Sequence, residues 1–600
     1  MGDTILFRRG TAANLPDLQE GEPGFATDNE GFYIGAGAGT AEDAAFCTST
    51  DIDAIQYEPN TFTQATIQAA LTAIGTSNKA TLLLRPGTWV ISSNADWSAY
   101  TNVMFKVARG AEFSGAFTLN IPNLDAGIYQ IFNSNIGVVT LSGNVKEVYP
   151  EWWLPNTTPG TTVMTTALQA ALTNARTTVL QFGQTYLTGS LVPPSKTRII
   201  GNYATLQLAD STNLPVIYDG NAGGNNFYIE NTTLECNKSN NQVNITGGIW
   251  LDGWTYVTIN NVVVNNAYRI GIRLENTTDI IIDGYVYANG GLATGAAPNL
   301  GYGLSIAGAS TRFSVRNITV TTVIGYGIFI KGDHGILENI YIKDTIKPSS
   351  IGMTILYANY LKITNLKIDG VDDYGLEIDA STFVTVDNLE ILNCARGVVV
   401  SVYGGIRSAD IMIRNVNLSI LSGVNHVVIS DSDRVIFENL NTNSNNLLGG
   451  TGSTAVQFIG GSIPANFLTN KQWVRATNVY LRDFLCFANK DDVSVTMVYA
   501  YSLANAGTKA ITLLTTPTAT ELVGTIESLT YNGDAASQFT YKKIQFDYKA
   551  GAYAQQTIFT VAGVSGRDTT YTSTGATNIT ATNSSGVATE IKTKISQMLF

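Results

Sequence analysis

A short strand motif recurs between about Gly248 and Asn439 and dominates the hydrophobic pattern of the chain. A glycine opens each copy, after which apolar residues that face inward alternate with variable residues that face outward. All but one of the steps between successive copies are 22–25 residues long, so the motif is a structural repeat. The copies are Gly248-Ile249-Trp250-Leu251, Gly271-Ile272-Arg273-Leu274, Gly303-Leu304-Ser305-Ile306, Gly327-Ile328-Phe329-Ile330, Gly352-Met353-Thr354-Ile355, Gly375-Leu376-Glu377-Ile378 and Gly397-Val398-Val399-Val400.

A second motif, an asparagine followed by an apolar residue, alternates with the first. Two strand motifs per 22–25 residues make one coil of a solenoid, in which each coil pairs with the next. We therefore predict an all-β chain built on a right-handed parallel β-helix, because the leucine frame of a leucine-rich repeat is absent and propeller blades need longer periods. The asparagines predict an internal ladder of side-chain amides at a turn. They are Asn261, Asn317, Asn339, Asn365, Asn388, Asn415 and Asn439, with Gly284-Tyr285 in the missing slot.

Two short amphipathic helices are predicted before the repeat, at Thr66–Thr72 and Ala167–Thr173. An apolar strand follows each helix, at Thr81–Leu84 and Thr178–Gln181 respectively. We expect the second helix to cap the open end of the β-helix, which otherwise exposes its core and strand edges. The first helix is assigned to a smaller head domain.

The segment after the repeat is predicted to be a C-terminal sheet domain. The coil motif stops near Asn445, and strand-like alternation returns at Val493–Tyr501 and Lys542–Tyr548. The last stretch, Ala588–Phe600, is predicted as a terminal helix. The expected division is an N-terminal segment 1–50, a small α/β head or neck 51–150, the β-helix 151–445, a linker 446–480 and a β-sandwich-like domain 481–600.

The charge balance argues against nucleic acid as a partner. The formal net charge is −12, charged residues make up 14% of the chain, and the basic residues form no cluster along it. The same charge disfavours capture of an acidic polymer, unless a local basic groove overrides it.

The cysteines and the N-terminus bear on where the protein is made. The four cysteines lack the paired spacing of zinc or redox sites and are expected to be free thiols of a protein made in a reducing cytoplasm. Met1–Arg9 has no apolar run of the kind that forms a secretory signal, and no stretch of the sequence is apolar enough to span a membrane. We expect a soluble protein; if it works outside a cell, it leaves by a route other than secretion, such as lysis. The cysteines are Cys47, Cys236, Cys394 and Cys486.

The outward face of the repeat is the place to look for chemistry. Because alternate residues share a face, the second and fourth residues after each glycine form two outward columns. Aromatic rings among carboxylates and basic groups suit sugars, since rings stack on C–H faces and carboxylates bind hydroxyls. The first column is Trp250, Arg273, Ser305, Phe329, Thr354, Glu377 and Val399; the second is Asp252, Glu275, Ala307, Lys331, Leu356, Asp379 and Ser401.

Glu377 and Asp379 are the leading catalytic candidates, because glycoside hydrolysis needs one protonated and one ionised carboxyl group. Their Cβ atoms should lie roughly 6.5–7 Å apart, near the low end of the separation for inversion. Asp372 and Asp373 precede them, and their negative charge is expected to raise the pKa of the acid. Asp333, two coils earlier, is a further candidate.

Asp252 and Glu275 form a competing pair on adjacent coils, roughly 4.8 Å apart, a spacing that suits retention. Arg273 would keep one of these carboxylates ionised. The extra residues around Asn289–Leu300 would form a wall over this second site. Outward carboxylates also serve simply as soluble surface and edge protection, so both interpretations stand. The candidate sugar-binding residues are Trp250, Trp254, Arg273, Phe329, Lys331 and Asp373.

The two histidines add a weaker possibility. His334 follows Lys331 and Asp333 and is a candidate base for a lyase, which removes the proton next to a uronate carboxylate. His426 is interpreted as structural. Asp431-Ser432-Asp433 lacks the remaining spacing of a calcium loop, and the glycine-rich runs lack phosphate-loop context, so neither a metal nor a cofactor is predicted.

The N-terminal residues resemble the short segment shared by many phage tail fibres and tailspikes. The matching stretches are Phe7–Pro16, Glu20–Asp28 and Phe32–Gly35. The junction Tyr149–Trp153 with the helix Leu168–Leu172 resembles the opening of pectate-lyase-like β-helix domains of phage depolymerases. The resemblance covers roughly residues 1–445. It implies a homotrimer, attachment of the N-terminus to the phage tail or baseplate in the virion, and glycan recognition along the β-helix.

Three functions follow as hypotheses from these residues and resemblances. The first is a tailspike endoglycosidase that depolymerises a bacterial capsule or O-antigen with paired carboxylates. The second is a polysaccharide lyase of the same architecture, and the third is a glycan-binding adhesin that cuts nothing. Fold alone does not choose among them, because function depends on the site.

Overall fold

The fold was analysed in a computed structural model of the 600-residue chain. The structure describes residues 62–462, apart from residues 144, 175, 244, 289, 291–300, 323–324, 344–349, 421–425, 443–446, 450–452 and 454; outside this range it describes only strands. The chain divides into two compact units, Met1–Pro155 and Asn156–Phe600. In the described part of the chain, no helix has the length and hydropathy needed to cross a bilayer.

The described part of the first unit contains one α-helix, a 3-10 helical turn at Pro150–Trp152, and short, mostly parallel strands. The helix α1 (Gln64–Ile74) begins after Thr63, whose hydroxyl accepts a hydrogen bond from the Thr66 N–H at 3.3 Å. From β5 onward the strands pair in parallel with partners 19–30 residues away, as in the coils of a short solenoid. The strands are β1 (Arg8–Gly10), β2 (Pro23–Ala26), β3 (Phe32–Gly35), β4 (Ala41–Asp43), β5 (Asp51–Asp53), β6 (Ala80–Leu84), β7 (Gly87–Val90), β8 (Ala95–Asp96), β9 (Val103–Val107), β10 (Ala111–Ser114), β11 (Leu119–Ile121), β12 (Leu124–Ala126) and β13 (Val139–Leu141).

The second unit begins with a right-handed parallel β-solenoid of about 14 turns, as predicted. The helix α2 (Thr165–Asn174) packs on its first strands through buried Ala167, Leu168, Ala171 and Leu172, in the position expected of a cap. The solenoid strands are β14 (Thr177–Val179), β15 (Thr185–Thr188), β16 (Arg198–Leu208), β17 (Ile217–Tyr218), β18 (Gly224–Glu235), β19 (Gly247–Asp252), β20 (Trp254–Asn265), β21 (Ile270–Glu275), β22 (Thr278–Asp283), β23 (Val286–Ala288), β24 (Tyr302–Thr321), β25 (Tyr326–Lys343), β26 (Ile351–Leu356), β27 (Asn359–Asp369), β28 (Tyr374–Asp379), β29 (Thr382–Leu392), β30 (Arg396–Ser401), β31 (Ala409–Ser419), β32 (Val427–Ile429), β33 (Asp433–Thr442), β34 (Leu447–Gly449), β35 (Val456–Pro464), β36 (Val474–Thr477) and β37 (Val479–Arg482).

Each coil has three straight segments, which stack into three sheets. The strands opened by the repeated glycine, such as β28, form what we call the first sheet. Longer strands such as β29 bend at an asparagine; the part before the bend belongs to the second sheet and the part after it to the third. Isoleucine, valine and leucine fill the space between the sheets and are almost all fully buried.

The repeated glycine is required by close packing inside each coil. A Cβ atom added at Gly375 would lie 2.6 Å from Cγ2 of Ile391, on the third sheet of the same coil. No side chain fits at that distance, so the first sheet approaches the third closely only where glycine stands. The same contact, with a valine or isoleucine as partner, recurs at Gly248, Gly303, Gly327, Gly352 and Gly397.

The asparagine ladder is confirmed, but it lies on the surface and not inside the coil. Asn388 donates to Asn365 at 2.9 Å, Asn365 to Asn339 at 2.9 Å, and Asn339 to Asn317 at 3.1 Å. These residues have φ values of 54–58°, in the left-handed region that asparagine tolerates. The reversed backbone turns the side chains outward, and all four are exposed.

A second left-handed column marks the corner before the second sheet. One residue of positive φ from each coil contributes to it, and the residues that flank successive members are register partners. We call this set the corner column. Its members are Asn226, Tyr256, Asp279, Arg312, His334, Tyr360, Phe383, Asp410 and Arg434.

Strands continue to the end of the chain. Parallel coil pairing extends past Asn445, since Ser462 pairs with Tyr480. Antiparallel pairing follows, so the alternating segments at 493–501 and 542–548 fall on strands as predicted. The helix predicted at Ala588–Phe600 is wrong, because strand β46 pairs there with β39 and β41. The strands are β38 (Phe484–Asn489), β39 (Ser494–Leu503), β40 (Thr508–Thr512), β41 (Glu521–Tyr531), β42 (Phe539–Lys549), β43 (Ala552–Ala562), β44 (Thr569–Ser573), β45 (Asn578–Asn583) and β46 (Thr589–Leu599).

Candidate functional site

The first outward column predicted from the sequence is a continuous ladder in the structure. Register partners in consecutive coils run from Trp250 through Arg273, Ser305, Phe329, Thr354 and Glu377 to Val399. In the second column the register shifts after Ile306, so Lys331 is not directly paired with Ala307. The short side chains Ser305, Thr354 and Val399 are buried, which leaves the long side chains of the column to form the accessible face.

Glu377 and Asp379 form a hydrogen-bonded pair of carboxyl groups on β28. The two groups lie within hydrogen-bond reach of each other. Thr354, on the preceding coil, donates to Oε2 of Glu377 at 3.0 Å. Ser401, on the following coil, donates to Oδ1 of Asp379.

One proton is shared by this pair near neutral pH. Burial, and then the negative charge of Asp379, raise the pKa of Glu377 to about 7. Burial also raises the pKa of Asp379, while the hydrogen bonds from Ser401 and Glu377 oppose that rise. Glu377 is therefore the group of the pair whose pKa lies near neutral pH. Asp373 adds a smaller effect in the predicted direction, because its charge raises the pKa of Glu377 further.

Three aromatic rings pack together on coils that precede the pair. The rings of Tyr302 and Tyr326 stack with centroids 5.5 Å apart, and Phe329 lies 5.5 Å from Tyr302 and 5.7 Å from Tyr326. Burial raises the pKa of Tyr326 to about 12, and the charges of Glu377 and Asp379 contribute to this rise. The Tyr326 hydroxyl therefore stays protonated, in the electrostatic field of both carboxyl groups.

A second group of rings lies at the other end of the same strands. The backbone N–H of Tyr357 donates to the carbonyl of Asp379 at 3.2 Å, and its ring meets Tyr403 edge-on at 5.7 Å. Lys331 places its ammonium group 5.3 Å from the centre of the Tyr357 ring. Tyr403 lies in a tight turn closed by two backbone hydrogen bonds with Ile406, and it is 52% exposed. These residues form an accessible aromatic and basic edge next to Asp379.

Asp373 forms an ion pair with an arginine, while Asp333 lies elsewhere in the coil. Arg396 forms a 3.2 Å ion pair with Asp373, and its guanidinium lies 4.8 Å from the centre of the Tyr374 ring. Asp333 accepts hydrogen bonds from the backbone and side-chain N–H groups of Asn359, at 2.8 and 3.0 Å. Asp333 therefore stabilises the turn before β27, and no contact joins it to the carboxyl pair in the described structure.

The competing pair, Asp252 and Glu275, are register partners as predicted. Each carboxylate already has a strong partner. Arg273 donates to Oε2 of Glu275 at 2.6 and 3.0 Å, and Asn276 donates to Asp252 at 2.8 Å. The Arg273 guanidinium also lies 4.4 Å from the centre of the Trp250 ring. The wall proposed at 289–300 lies outside the described residues, except for Gly290.

Trp254 is not a surface platform. It is 1% exposed, its ring meets Phe227 edge-on at 5.8 Å, and its indole N–H donates to the buried carboxylate of Asp219 at 2.8 Å. Gly253, with φ of 69°, turns the chain just before it, so Trp254 begins the next strand with its side chain in the core. Of the two predicted tryptophan platforms, Trp250 alone is partly exposed.

The histidines take no part in the carboxyl pair. His334 is an exposed member of the corner column, where its ring stacks on Tyr360 at 4.9 Å. His426 is buried beside Thr442, and burial lowers its pKa to about 4. Among the residues that the structure describes, no group of three acidic, histidine or cysteine side chains is arranged to hold a metal ion.

Several residues around the pair were not predicted from the sequence. Tyr302, Tyr326, Tyr374 and Arg396 each stand directly before a repeated glycine, outside the two predicted columns. They are partly exposed because the glycine marks the corner and both it and the next residue are buried. The recurrence of an aromatic or basic residue directly before the glycine in four coils is the sequence signal that could have identified these residues.

Family models match two parts of the chain. Residues 297–471 match the model described as right handed beta helix region, and residues 5–39 match the major tropism determinant N-terminal domain. These matches agree with the β-helix and with the N-terminal resemblance drawn from the sequence. No curated protein sequence matches the chain.

Solved structures similar to the chain include two phage tailspike proteins and a polygalacturonase. A tailspike protein of Acinetobacter baumannii bacteriophage Fri1, a capsular polysaccharide depolymerase, is 9% identical over 76% of this chain and 88% of its own, with a TM-score of 0.27. Tailspike protein 2 of Escherichia coli O157:H7 bacteriophage CAB120 is 11% identical over 75% of this chain and 71% of its own, with a TM-score of 0.36. The polygalacturonase of Erwinia carotovora is 14% identical over 54% of this chain and 91% of its own, with a TM-score of 0.29.

Proposed function

We propose that this protein is a phage tailspike receptor-binding protein that binds a bacterial surface polysaccharide and cuts it by endoglycosidic hydrolysis. The observation that carries the proposal is the Glu377–Asp379 pair, which holds one proton on the outward face of the first sheet. Acid–base cleavage of a glycosidic bond requires one protonated and one ionised carboxyl group that flank the bond.

In this proposal Glu377 is the general acid. With a pKa of about 7 it carries a proton at neutral pH and can deliver it to the glycosidic oxygen. Asp379 stays ionised because Ser401 and Glu377 donate hydrogen bonds to it, so it can act on water or on the developing positive charge. In the free protein the two groups bond directly, which leaves no room for a water between them. Sugar binding therefore has to replace that hydrogen bond with contacts to the glycosidic oxygen and to water.

The surrounding side chains suit a polysaccharide lying across the first sheet. The rings of Tyr302, Tyr326 and Phe329 lie on one side of the pair, and Tyr357 and Tyr403 on the other. Aromatic rings bind the C–H faces of sugars. Lys331 and Arg396 would add donors for hydroxyl or carboxylate groups of the chain.

The Asp252–Glu275 pair supports hydrolysis less well. Arg273 holds Glu275 through two hydrogen bonds, so a sugar would have to compete with an ion pair already formed. A binding role for Trp250 and Arg273 along the same column is consistent with their partial exposure.

Attachment to a virion is proposed from the N-terminal match to the major tropism determinant domain at residues 5–39. The N-terminus would bind the phage tail, and three copies would assemble as a homotrimer. Synthesis in the reducing host cytoplasm fits the described cysteines, since Cys236 and Cys394 are buried free thiols.

The test is mass spectrometry of host surface polysaccharide after incubation with the wild type, Glu377→Gln and Asp379→Asn. We expect discrete oligosaccharides from the wild type and none from either variant, while both variants still bind. Glu390→Gln is the matched control, because it neutralises a surface carboxylate of the same coil, on β29, which contacts Lys367 and Asn417. It should cut like the wild type.

Three other outcomes would contradict parts of the proposal. Products from all the variants would exclude the Glu377–Asp379 pair. Products with an unsaturated, ultraviolet-absorbing end would show a lyase. Tight binding by the wild type without any product would show an adhesin.

A further inference from the structure

A basic groove lies on the second sheet near the start of the solenoid. Its volume is about 610 Å³, and its floor includes Thr177, Arg198, Tyr228 and Thr258, which are register partners on four successive strands. The Glu377–Asp379 pair lies on the first sheet, several coils later. The groove is therefore separate from the proposed cleavage site.

The groove has an excess of positive charge in an otherwise acidic chain. Arg176, Lys196 and Arg198 line it, and Arg198 forms a 3.4 Å ion pair with Glu230. Within the described part of the chain, no acid pairs with Arg176 or Lys196, and both side chains are exposed. Two uncompensated cations, in a protein of net charge −12, make a local site for an anion.

Aromatic and hydroxyl groups accompany these cations. Tyr256, in the corner column, is 58% exposed at the edge of the groove. The Arg198 guanidinium lies 4.7 Å from the centre of the Tyr228 ring, whose hydroxyl donates to Glu230 at 2.7 Å. Thr197, Asn226 and Thr258 also line the groove. A ring for a pyranose C–H face, together with hydroxyl and amide groups for sugar hydroxyls, favours a carbohydrate over a bare inorganic anion.

We infer that this groove binds an acidic sugar unit, a pyranose that carries a carboxylate, of a polysaccharide that it does not cut. Lys196, Arg176 and Arg198 would bind the carboxylate, and Tyr256 would stack on the ring. A second point of attachment raises the effective concentration of the polymer at the first sheet without any new contact there. The inference concerns binding alone, so it stands or falls independently of the cleavage chemistry.

The test measures binding by isothermal titration calorimetry in the Glu377→Gln full-length protein, so that hydrolysis does not consume the probe. The probes are oligomers of galacturonate, of mannuronate and of hyaluronate, each compared with its carboxyl-reduced neutral form. We expect at least one acidic oligomer to bind, its neutral form to bind at least tenfold more weakly, and the affinity to fall as salt rises. Added Lys196→Gln and Arg198→Gln substitutions should raise the Kd at least tenfold.

A matched control removes the same charges elsewhere on the second sheet. Lys362→Gln with Arg316→Gln also loses an exposed lysine and an arginine paired with a glutamate of the next coil, Glu338, at 3.1 Å. Its Kd should equal that of the parent, which would exclude a general charge effect. Tyr256→Ala alters one exposed side chain and should weaken binding at least threefold, even if the double variant folds poorly.

The inference is overturned by any of three results. These are no binding of any acidic oligomer, equal binding of the neutral forms, and an unchanged Kd when Lys196, Arg198 or Tyr256 is replaced.

Discussion

The carboxyl groups of Glu377 and Asp379 share a hydrogen bond although their residues lie two apart on one strand. Thr354 and Ser401, on the coils before and after, fix the two groups from opposite sides. The pair therefore depends on three stacked coils, and its two protons are lost in separate steps because the second negative charge forms beside the first.

The pH dependence of cleavage should be bell-shaped. At low pH, protonation of Asp379 removes the ionised partner, and above about 7 the loss of the Glu377 proton removes the acid. We expect kcat/KM for oligosaccharide release to fall on both sides of a maximum below pH 7. Glu377→Gln should lower kcat by about 10²–10⁴-fold. A flat profile between pH 5 and 9 would contradict these roles.

Stability should respond to the same pair. The pKa of Glu377 is raised in the folded chain, so the folded state holds more protons than the unfolded state between pH 4.5 and about 7. Stability contributed by the protonated group is therefore lost as pH rises through this window. Glu377→Gln cannot ionise and should be more stable than the wild type at pH 8, by about 1–3 kcal/mol, and similar to it at pH 4. Thermal denaturation of both proteins at the two pH values measures this difference, and equal melting temperatures at pH 8 would contradict it.

The ring of Tyr326 should matter more than its hydroxyl for binding. Tyr326→Ala is expected to raise KM by about 3–10-fold, because it removes one member of the cluster with Tyr302 and Phe329. Tyr326→Phe keeps the ring and should change KM less than twofold. Tyr360→Ala, which removes an exposed ring of the corner column, is the control and should leave KM unchanged. Equal KM values for all three variants would exclude an aromatic binding role.

The glycine repeat predicts a specific steric coupling. Gly375→Ala places a methyl group 2.6 Å from Ile391 Cγ2 and should lower the free energy of unfolding by about 1–3 kcal/mol. Ile391→Ala removes the obstacle, so the double variant should be more stable than the sum of the two single losses predicts. Urea denaturation of the four proteins measures this coupling, and strict additivity would show that the contact is not what requires glycine.

The asparagine ladder can be tested at Asn365, which donates to Asn339 and accepts from Asn388. Asn365→Ala loses both bonds and keeps a β-carbon at φ of 58°, so we expect a loss of about 1–3 kcal/mol. Asn365→Gly loses the same hydrogen bonds, but glycine adopts a positive φ without strain. Its loss of stability should therefore be smaller. The order of melting temperatures, wild type above glycine above alanine, checks the argument.

The solenoid and its outward column were predictable because every coil repeats the same steric requirement. The alternation from Gly375 to Asp379 gave the correct register for Glu377 on its neighbours Thr354 and Val399. The rule that alternate residues share a face gives wrong positions where the backbone turns. Gly253 redirects the chain so that Trp254 enters the core, and the register shift after Ile306 displaces Lys331 from its predicted partner.

The surroundings of the carboxyl pair were not predictable in the same way. Tyr326 stands two coils before Glu377, and its influence on that carboxylate depends on how far a long side chain extends across the intervening coil. Asp333 was placed near the groove by sequence distance, yet the corner before the second sheet directs it to Asn359. Periodicity gives the position of a residue on the solenoid, whereas the direction of its side chain depends on its neighbours.

The one-residue-per-coil ladder of the first column has an evolutionary consequence. Its members alternate with fully buried neighbours such as Leu376 and Ile378, so the outward column and the folding core are encoded by separate sets of codons. If the column recognises a host polysaccharide, as proposed above, a phage lineage that meets a host with an altered coat can exchange Phe329, Arg273 or Trp250 one at a time. The hydrophobic stack behind them, on which assembly depends, is inherited unchanged.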